Sequence, residues 1–383
     1  MKFNKTVTIL RSKAVYANPR VDKCAKSLSQ EGWRVNILAW DRGTLEDIPR
    51  RELRDGYEIF RLKLKSVPGK IEEVFKIIIF NFFLIIYLIS NRPKVIHSCD
   101  LETLIPALFS KALYGAKVVY DICDFFSYKF AISYKNSYAI NILERLEILL
   151  LNFADIVLVA DEGLFGKLKF NKKFIRLYNS PEDLTFLSLN KKNNKFKIFY
   201  AGEFSVGRGL EKIIHVIKGM NDVEFYLAGY KGLLLEEIIR LASHSDNVIY
   251  LGALRYNSVL KIASTCDILI AFNDPSILKY KISSPNKIFE SMMLGKPIIV
   301  SKETSMAKLV NTEECGIIVD YNKIDDLKKA IKYLKDDLNY RKKLGLNGRK
   351  SYCEKYSWNI MKKRLLFAYN YVIDKKVKNL DIK

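Results

Sequence analysis

The sequence predicts an α/β protein with two parallel-sheet domains. Short β-branched runs alternate with helical stretches along its 383 residues, which is typical of parallel strands joined by helices. A chain of this length exceeds one ordinary hydrophobic core, because single cores stop growing near about 250–300 residues. Two turn-forming and polar stretches, 179–181 and 190–195, separate two similar halves. We therefore predict an N-terminal domain over 1–185 and a C-terminal domain over 190–359.

The predicted strands number seven in the first half and six in the second. In the first half they cover 7–10, 35–40, 57–62, 95–97, 117–121, 155–160 and 174–177. In the second half they cover 197–201, 224–228, 248–251, 267–271, 297–301 and 316–319. Beyond 319 the pattern predicts helices over 325–335 and 338–356, and a last helix that opens at Ser357.

The composition is globular and strongly basic. Hydrophobic residues make up 49% of the chain and charged residues 28%, and the formal net charge is +22. Such a charge is compatible with a lysine-rich solubilising surface, contact with an anionic membrane, or nucleic-acid binding. The lysines are spread through every segment instead of forming one cluster, so we expect no nucleic-acid partner.

The cysteines and the apolar segments bear on localisation. The six cysteines are far apart and lack metal-ligand spacing, so we expect free cytosolic thiols and no metal. The N-terminus runs directly into a predicted strand, which leads us to expect no signal peptide. An apolar stretch covers 74–90, but its most apolar core, 77–89, is broken by Asn81 and falls short of the about 17–25 residues needed to span a bilayer. It predicts either a buried helix on a sheet or a helix lying in a membrane interface.

The loop after the first strand of the second half is rich in glycine. It runs from Gly202 and Glu203 to Arg208 and Gly209, just before a predicted helix. Glycines let backbone amides approach a phosphate, and the helix N-terminus and an arginine add positive potential. The same pattern also serves ordinary strand–helix turns, so both interpretations stay open here.

The segment 283–297, SSPNKIFESMMLGKP, is more informative. Ser284 is suited to an N-cap and Pro285 to the first helical position, and Gly295 predicts the helix end. Lys287 and Glu290 are three residues apart, so both lie on one face near the positive end of the helix. That face can hold a diphosphate at the amides and Lys287, while the Glu290 carboxylate accepts hydrogen bonds from a ribose diol.

This segment strongly resembles the donor-site motif of group 1 glycosyltransferases with the GT-B fold. Looser matches occur in the family's order along nearly the whole chain, at 20–28, 95–104, 118–124, 200–202, 227–229, 250–252 and 356–358. The resemblance implies two Rossmann-like domains facing a cleft, with a C-terminal helix, 360–383, crossing back to the N-terminal domain. It also implies a nucleoside-diphosphate sugar as co-substrate, with no obligatory metal and no other cofactor.

The resemblance assigns donor-binding roles to residues of the second half. Glu290 would hold the ribose, and Arg208 matches the family's basic residue after the first glycine turn. The turn at Arg255 and Tyr256 would lie by the nucleobase. The remaining donor-binding residues expected from the motif positions are Ser284, Pro285, Asn286, Lys287, Ile288, Gly202, Glu203 and Gly229.

The chain departs from the family pattern at three positions. Ile282 stands where many members carry a second glutamate near the donor sugar. Glu203 stands where another basic residue often follows the first glycine, and Cys123 where a histidine is common. The residues that react with the sugar therefore cannot be carried over directly.

Acids at predicted strand ends of the first half are the candidate catalytic residues. Asp124 is the first choice by position, with Asp100 and Glu102 beside it, because an acid there could deprotonate an acceptor hydroxyl. Each could equally be a turn or N-cap residue. His97 could be a core histidine.

The sequence thus predicts transfer of a sugar from a nucleoside-diphosphate sugar to a hydroxyl of a glycan or lipid-linked acceptor, with retention at the anomeric carbon as the family usually shows. Cell-surface polysaccharide or glycoconjugate synthesis is the expected setting. A cytoplasmic enzyme with peripheral contact to the anionic inner face of the cell membrane is expected. The alternatives are a sugar-nucleotide epimerase on the same scaffold and a non-catalytic sugar-nucleotide or nucleic-acid binding protein.

Overall fold

The chain divides into two compact units. The computed structural model describes residues 5–15, 19–43, 48–66, 71–123, 127, 137–160, 163, 174–184, 195–230, 232–282 and 286–374. One unit comprises Met1–Asn179 with Met361–Lys383, and the other comprises Ser180–Ile360. Each unit contains one mostly parallel sheet with helices packed on it.

The strands and helices are numbered in chain order. The strands are β1 (Thr6–Arg11), β2 (Arg34–Asp41), β3 (Arg51–Arg54), β4 (Tyr57–Lys63), β5 (Val95–Cys99), β6 (Lys117–Ile122), β7 (Ile156–Val159), β8 (Phe174–Arg176), β9 (Phe196–Ala201), β10 (Val223–Ala228), β11 (Val248–Tyr250), β12 (Ile268–Ala271), β13 (Ile298–Ser301) and β14 (Gly316–Val319). The helices are α1 (Pro19–Gln30), α2 (Ile71–Asn91), α3 (Leu104–Tyr114), α4 (Ser137–Leu151), α5 (Leu210–Lys218), α6 (Leu235–Ser243), α7 (Tyr256–Thr265), α8 (Leu278–Ile282), α9 (Asn286–Leu294), α10 (Ser305–Glu313), α11 (Ile324–Asp336), α12 (Leu338–Ser351) and α13 (Trp358–Ile373).

The first unit contains a sheet in the order β3-β4-β2-β1-β5-β6-β7-β8. Every neighbouring pair is parallel except β3 and β4. The central strands are buried on both faces, which explains why they are nearly continuous apolar runs in the sequence. In this register Val7 of β1 lies between Val35 and Val95.

The antiparallel edge strand β3 is absent from the sequence-based prediction. Its sequence, Arg-Glu-Leu-Arg, is charged and short, so it lacks the apolar alternation of a strand. The signal that could have found it is the following Asp55-Gly56 turn, in which both residues have positive φ, 44° and 85°. Asp-Gly with this backbone is a favoured two-residue hairpin turn.

The last helix, α13, docks on the first unit from Met361 onward, as predicted. Met361, Leu365 and Tyr369 are fully buried there. The Tyr369 hydroxyl lies 2.8 Å from Nδ1 of His97, and the Tyr369 ring meets Trp33 edge-on at 5.0 Å between centroids. The apolar spacing in this helix is therefore explained by burial against the N-terminal sheet.

The second unit contains a six-stranded parallel sheet in the order β11-β10-β9-β12-β13-β14. Helices α5 and α11 pack together against this sheet, and their buried residues join those of the strands in one core. The helix predicted over 338–356 is divided into α12 and a π-helical turn, Tyr352–Tyr356. The Glu313 carboxylate accepts hydrogen bonds from Ser351, Lys355 and Tyr356, which fixes that turn.

The apolar stretch predicted over 74–90 lies within α2. Phe80, Leu84 and Leu88 are buried on one side of the helix, while other apolar side chains are exposed on the opposite side. Within the ranges that the structure describes, no helix combines the length and hydrophobicity needed to cross a bilayer.

Candidate functional site

The sheet of the second unit has a topological switch point between β9 and β12. From β9 the chain proceeds to β10 and β11 on one side, and it then returns to place β12 on the other side. In such open parallel sheets, ligands bind beyond the carboxyl ends of the two strands where the order reverses. The residues that follow Ala201 and Ala271 therefore form the candidate site.

The turn after β9 is shaped by glycines with positive φ. The φ angles of Gly202, Gly207 and Gly209 are 154°, 80° and 63°. A Cβ at Gly209 would lie 2.6 Å from the carbonyl oxygen of Phe272, and a Cβ at Gly229 would overlap the carbonyl oxygen of Gly202. These positions need glycine for close backbone packing at the ends of β9, β10 and β12.

Two cations lie at this turn without a carboxylate in ion-pair range among the described residues. The Arg208 guanidinium lies over the Tyr280 ring at 4.4 Å, and its Nη1 donates to Oδ1 of Asn273 at 3.4 Å. The Lys287 Nζ lies 4.4 Å from the centre of the Tyr200 ring. Burial and the neighbouring Arg208 lower the pKa of Lys287 to about 7.

Two polar atoms of the site are buried without a hydrogen-bond partner in the described chain. They are Nε of Arg208 and Nδ2 of Asn273. Asn273 itself is 1% exposed. Buried donors are nearly always satisfied in native proteins, so an acceptor-rich ligand at this turn would complete their hydrogen bonding.

Helix α9 carries Lys287 and Glu290 and is held firmly by its other residues. Ile288, Phe289 and Met292 are fully buried, and the Phe289 ring lies 5.5 Å from the Tyr356 ring. At the far end Arg349 Nη1 donates to the carbonyl oxygen of Met293 at 2.9 Å. A cation at a helix C-terminus complements the helix dipole, so α9 is a rigid support for the two charged residues.

Glu290 lies in a protected position beside Tyr256. Its side chain is largely buried, and its carboxylate lies close enough to the Tyr256 hydroxyl to act on it electrostatically. Burial and the adjacent Glu290 charge raise the pKa of Tyr256 well above its ordinary value. The sequence predicted Tyr256 near the nucleobase, but the structure places it beside Glu290, the residue predicted to bind the ribose. Arg255 is exposed and directly precedes α7.

The other predicted donor-site residues have varied placements. Ser284 and Pro285 lie outside the described residues. Asn286 is half-buried at the start of α9, and the Ile288 side chain is fully in the core, so only its backbone could face a ligand. The Glu203 carbonyl accepts a hydrogen bond from the Tyr200 hydroxyl at 2.8 Å, and the Gly229 carbonyl accepts one from Tyr250 at 2.8 Å.

Three side chains at the site were not predicted: Tyr200, Asn273 and Tyr280. Asn273 follows the switch-point strand β12, so the rule that ligands bind after strand ends could have found it. Tyr200 resembles any aromatic residue of a buried strand. Tyr280 lies in the short helix α8, far in sequence from the Arg208 that it contacts.

Of the three acids predicted to be catalytic, the structure describes Asp100 and Glu102. Asp124 lies outside the described residues. Asp100 is completely buried, and its Oδ2 accepts from Nη1 of Arg11 at 2.9 Å while its Oδ1 accepts from the Cys123 amide at 3.3 Å. These contacts favour a structural role for Asp100 over acid–base chemistry. Glu102 is less buried and accepts a hydrogen bond from Ser12, with Arg42 at 3.7 Å.

Of the other cleft candidates of this unit, His97 is a core residue and Cys123 is partly buried. His97 Nε2 lies 3.3 Å from Oδ2 of Asp121, which also accepts from Nε of Arg20 at 2.8 Å. Although these groups and Cys99 could reach one metal ion, Arg20 already neutralises Asp121, so we interpret them as an ion-pair network. Burial is the main cause that raises the pKa of Cys123 to about 12, and the nearby Asp121 charge adds to it. Cys123 therefore stays a thiol.

The second unit matches a known sequence family. Residues 182–351 match the family model of group 1 glycosyl transferases. Two relatives are uncharacterized glycosyltransferases of Methanocaldococcus jannaschii, MJ1607 and MJ1178. They are 21% and 26% identical over 193 and 176 residues, which is 49% and 44% of this chain. The match spans about half the length of these relatives, 48% and 46%.

Solved structures with the same fold cover almost the whole chain. A sucrose-phosphate synthase from Thermosynechococcus elongatus has a TM-score of 0.77 at 15% identity, over 96% of this chain and 99% of that one. The HepE protein of Anabaena in complex with UDP-glucose has a TM-score of 0.68 at 13% identity, over 94% and 98% of the two chains. At these identities the comparison establishes the fold.

Proposed function

Because residues 182–351 belong to the group 1 glycosyltransferases and the chain has the GT-B fold, we propose that it transfers a sugar from a nucleoside-diphosphate sugar to a hydroxyl. The observation that carries this proposal is the arrangement of Arg208 and Lys287 beside a glycine turn, with Glu290 on the same helix as Lys287. The Anabaena structure, which contains UDP-glucose, supports a nucleotide sugar as the donor.

The diphosphate would bind at the two cations. A diphosphate supplies anionic acceptors for the buried Nε of Arg208, the amide of Asn273 and the ammonium of Lys287. Hydrogen bonds to charged groups are about twice as strong as neutral ones. Binding would also remove the cost of holding Lys287 in a buried place beside another cation.

The ribose would bind at Glu290. A carboxylate accepts hydrogen bonds from both hydroxyls of a ribose diol, and the Glu290 carboxylate lies beside the Tyr256 hydroxyl. Because α9 is fixed by its buried residues, the carboxylate is oriented before the ligand arrives. Preorganised acceptors lose little freedom on binding, which favours affinity and selectivity for a ribonucleotide.

The proposed reaction forms a bond between the acceptor oxygen and the anomeric carbon while the bond from that carbon to the diphosphate oxygen breaks. The diphosphate leaves with the electron pair, and the acceptor proton passes to the leaving diphosphate or to a base. Arg208 and Lys287 would stabilise the charge that develops on the leaving group, which is the role that fixed positive groups serve in such transfers. This supports metal-independent transfer, with the retention expected from the family resemblance.

The acceptor in this proposal is a glycan or a lipid-linked sugar, as in polysaccharide or glycoconjugate synthesis, and the enzyme acts in the cytoplasm at the inner membrane face. The apolar exposed side of α2 and the net charge of +22 support the membrane contact. The alternatives of an epimerase or a non-catalytic binder are less favoured, because the matched family and the relatives are glycosyltransferases.

A Glu290→Ala variant tests the donor site most directly. Nucleoside diphosphates and their sugars are first screened by thermal shift, because a ligand that binds only the folded state raises its stability. The variant should bind the selected ribonucleotide about 10- to 100-fold more weakly, since hydrogen bonds to a charged group are lost. The affinity for the 2′,3′-dideoxy nucleotide should be unchanged by the substitution.

Glu237→Ala is the matched control, because Glu237 is an exposed glutamate of the same unit on α6. It should keep full affinity for both nucleotides. If Glu290→Ala binds the ribonucleotide as tightly as the unmodified protein, the ribose assignment is wrong.

A further inference from the structure

More than half of the large hydrophobic side chains exposed in the described chain lie between residues 75 and 153. They are concentrated on α2, on α3 and on α4 with Phe153, which follows it. On α2 the exposed residues are Phe75, Ile78, Ile79, Phe82 and Ile86, each between 49% and 65% accessible. Monomeric proteins rarely expose a continuous apolar area of this kind without a partner for it.

These helices lie on one face of the first sheet. They precede β5, β6 and β7 respectively, and these strands follow one another outward from β1. Right-handed crossovers in one direction place their connecting helices on the same face of a sheet. Consistent with this, α2 packs on α3, and Lys111 Nζ in the last turn of α3 donates to the carbonyl oxygen of Phe153 at 2.9 Å.

The outward side of α2 has no charged residue over nearly four turns, from Ile77 to Ser90. The neighbouring α3 exposes Ile105, Phe109 and Leu113, and its single charged residue is Lys111. On α4, Leu146 and Leu149 are exposed. An ordinary surface helix has the opposite arrangement, with its polar face toward water. We call the exposed side chains of these three helices the apolar helix face.

The charges at one end of the apolar helix face are mostly positive. The C-terminal ends of the helices lie at the edge where the strands begin, because each helix runs antiparallel to the strand after it. Arg92 and Lys94 are exposed between α2 and β5, and Lys117 begins β6. Asp155, an acid at this edge, is paired with Lys111 at 2.7 Å.

We propose that the apolar helix face lies on a bilayer of anionic phospholipids, with its aromatic and aliphatic side chains at the depth of the headgroup boundary and Arg92, Lys94 and Lys117 on the lipid phosphates. A surface that combines apolar side chains with basic residues binds such bilayers through both contributions. A second copy is a poor occupant, because each copy carries a charge of +22 and the basic edges would repel. The inference deepens the proposed function, since a lipid-linked acceptor would be encountered at this surface.

Cosedimentation with vesicles tests the inference without donor or acceptor. The full chain is mixed with vesicles of phosphatidylcholine alone, or of phosphatidylcholine with about a third phosphatidylglycerol, near physiological salt. Binding should be strong only to the anionic vesicles. The paired substitution Phe82→Ser and Ile86→Ser should weaken it at least about tenfold, because two apolar side chains no longer enter the interface.

Two further variants separate the contributions. Arg92→Gln and Lys94→Gln should each weaken binding to anionic vesicles about fivefold. The paired control, Leu233→Ser and Leu346→Ser, changes two leucines of the second unit that are 89% and 69% exposed, and it should bind vesicles normally. Every variant should keep its nucleotide affinity, so that a failure here is distinguishable from a failure of the proposed function.

The inference is overturned if the unmodified chain does not bind anionic vesicles, or if the Phe82 and Ile86 substitutions leave binding unchanged. It is also overturned if sedimentation shows a dimer that these two substitutions dissociate while vesicles are not bound. In that case the apolar helix face is an interface between copies of the chain.

Discussion

The two sheets both have buried or half-buried cations near the carboxyl ends of their central strands, but the partners of these cations differ. In the first unit Arg11 pairs with Asp100 at 2.9 Å, and Arg20 pairs with Asp121 at 2.5 Å. In the second unit Arg208 and Lys287 lie on aromatic rings instead. The cations at the carboxyl edge of the first sheet are thus neutralised within the protein. The cations at the carboxyl edge of the second sheet have positive charge available to a ligand.

The pKa values follow from this difference. Burial alone would raise the pKa of Asp121, but the Arg20 charge and the His97 hydrogen bond outweigh burial and lower it to about 2. Lys287 has no comparable compensation, so burial and Arg208 lower its pKa to about 7. Ion pairs in the first unit therefore contribute to stability, while Lys287 in the second unit costs stability in the unliganded protein. In the proposed function, the diphosphate would supply the partner that Lys287 lacks.

The largest expected effect is loss of stability on replacing Arg20. Arg20→Met leaves the Asp121 carboxylate buried without its main partner, which should lower the free energy of unfolding by about 3–5 kcal/mol. Because the pKa of Asp121 is depressed, its contribution is present near neutral pH and is lost as pH falls from about 4 to about 2. Denaturant unfolding at pH 7 and pH 3 should therefore show a larger difference between variant and unmodified protein at pH 7.

Two controls accompany this measurement. Adding Asp121→Asn to Arg20→Met should recover much of the lost stability, since no buried charge is then left unpaired. Arg51→Met breaks an exposed pair with Glu58 and should change stability by less than about 1 kcal/mol. If Arg20→Met has as small an effect as Arg51→Met, the ion pair of Arg20 with Asp121 does not stabilise the first unit.

The opposite result is expected for Lys287. Lys287→Met should keep or raise the melting temperature, because it removes a buried cation next to Arg208, yet it should weaken nucleotide-sugar binding by about 1.5–3 kcal/mol. Titration calorimetry measures the affinity. Lys296→Met is the matched control, because burial also lowers the pKa of Lys296 but this residue follows α9, at the end away from the glycine turn.

The pH dependence of binding provides an independent check on Lys287. Below pH 7 the ammonium is present before binding, whereas above pH 7 the neutral amine must take up a proton as the diphosphate arrives. At pH 8 the uptake should approach about 0.9 proton per donor, measured in buffers of different ionisation enthalpy. A nucleotide sugar that binds at pH 8 without proton uptake would contradict the role of Lys287.

The smallest expected effect concerns Tyr256. Tyr256→Phe removes the hydroxyl that interacts with Glu290 and should weaken ribonucleotide binding by about 0.5–1.5 kcal/mol. The affinity for the dideoxy nucleotide should change less, which distinguishes orientation of the carboxylate from contact with the base. Tyr226→Phe, which removes a hydroxyl bonded to Glu224 on β10, should change neither affinity. Equal losses for both nucleotides would instead place Tyr256 at the base, as the sequence suggested.

Much of the fold could be predicted because its signals are local. The central strands are nearly continuous apolar runs, and helix ends are marked by residues such as Gly295, whose φ is 63°. The edge strand β3 was missed because its charged sequence has no apolar alternation, and an edge strand needs only one neighbour. The break after Ser351 was missed because it depends on Glu313, which is distant in sequence.

The candidate site was predictable only in part. The spacing of Lys287 and Glu290 indicated that both belong to one helix face, because three residues span almost one turn. Their partners Tyr200, Tyr256 and Arg208 come from three other segments. No spacing rule connects those segments, so the aromatic contacts and the low pKa of Lys287 could not be expected.

The sequence by itself determined the α/β class, the glycine turn at 202–209, the helix that carries Lys287 and Glu290, and the family resemblance, since each depends on residues close together in the chain. Only the tertiary structure decided that Asp100 and Asp121 are neutralised by Arg11 and Arg20 while Lys287 is not. It also decided which side of α2 faces water. The physical reason is that burial and charge pairing are set by residues distant in sequence, and these two quantities fix pKa and surface chemistry.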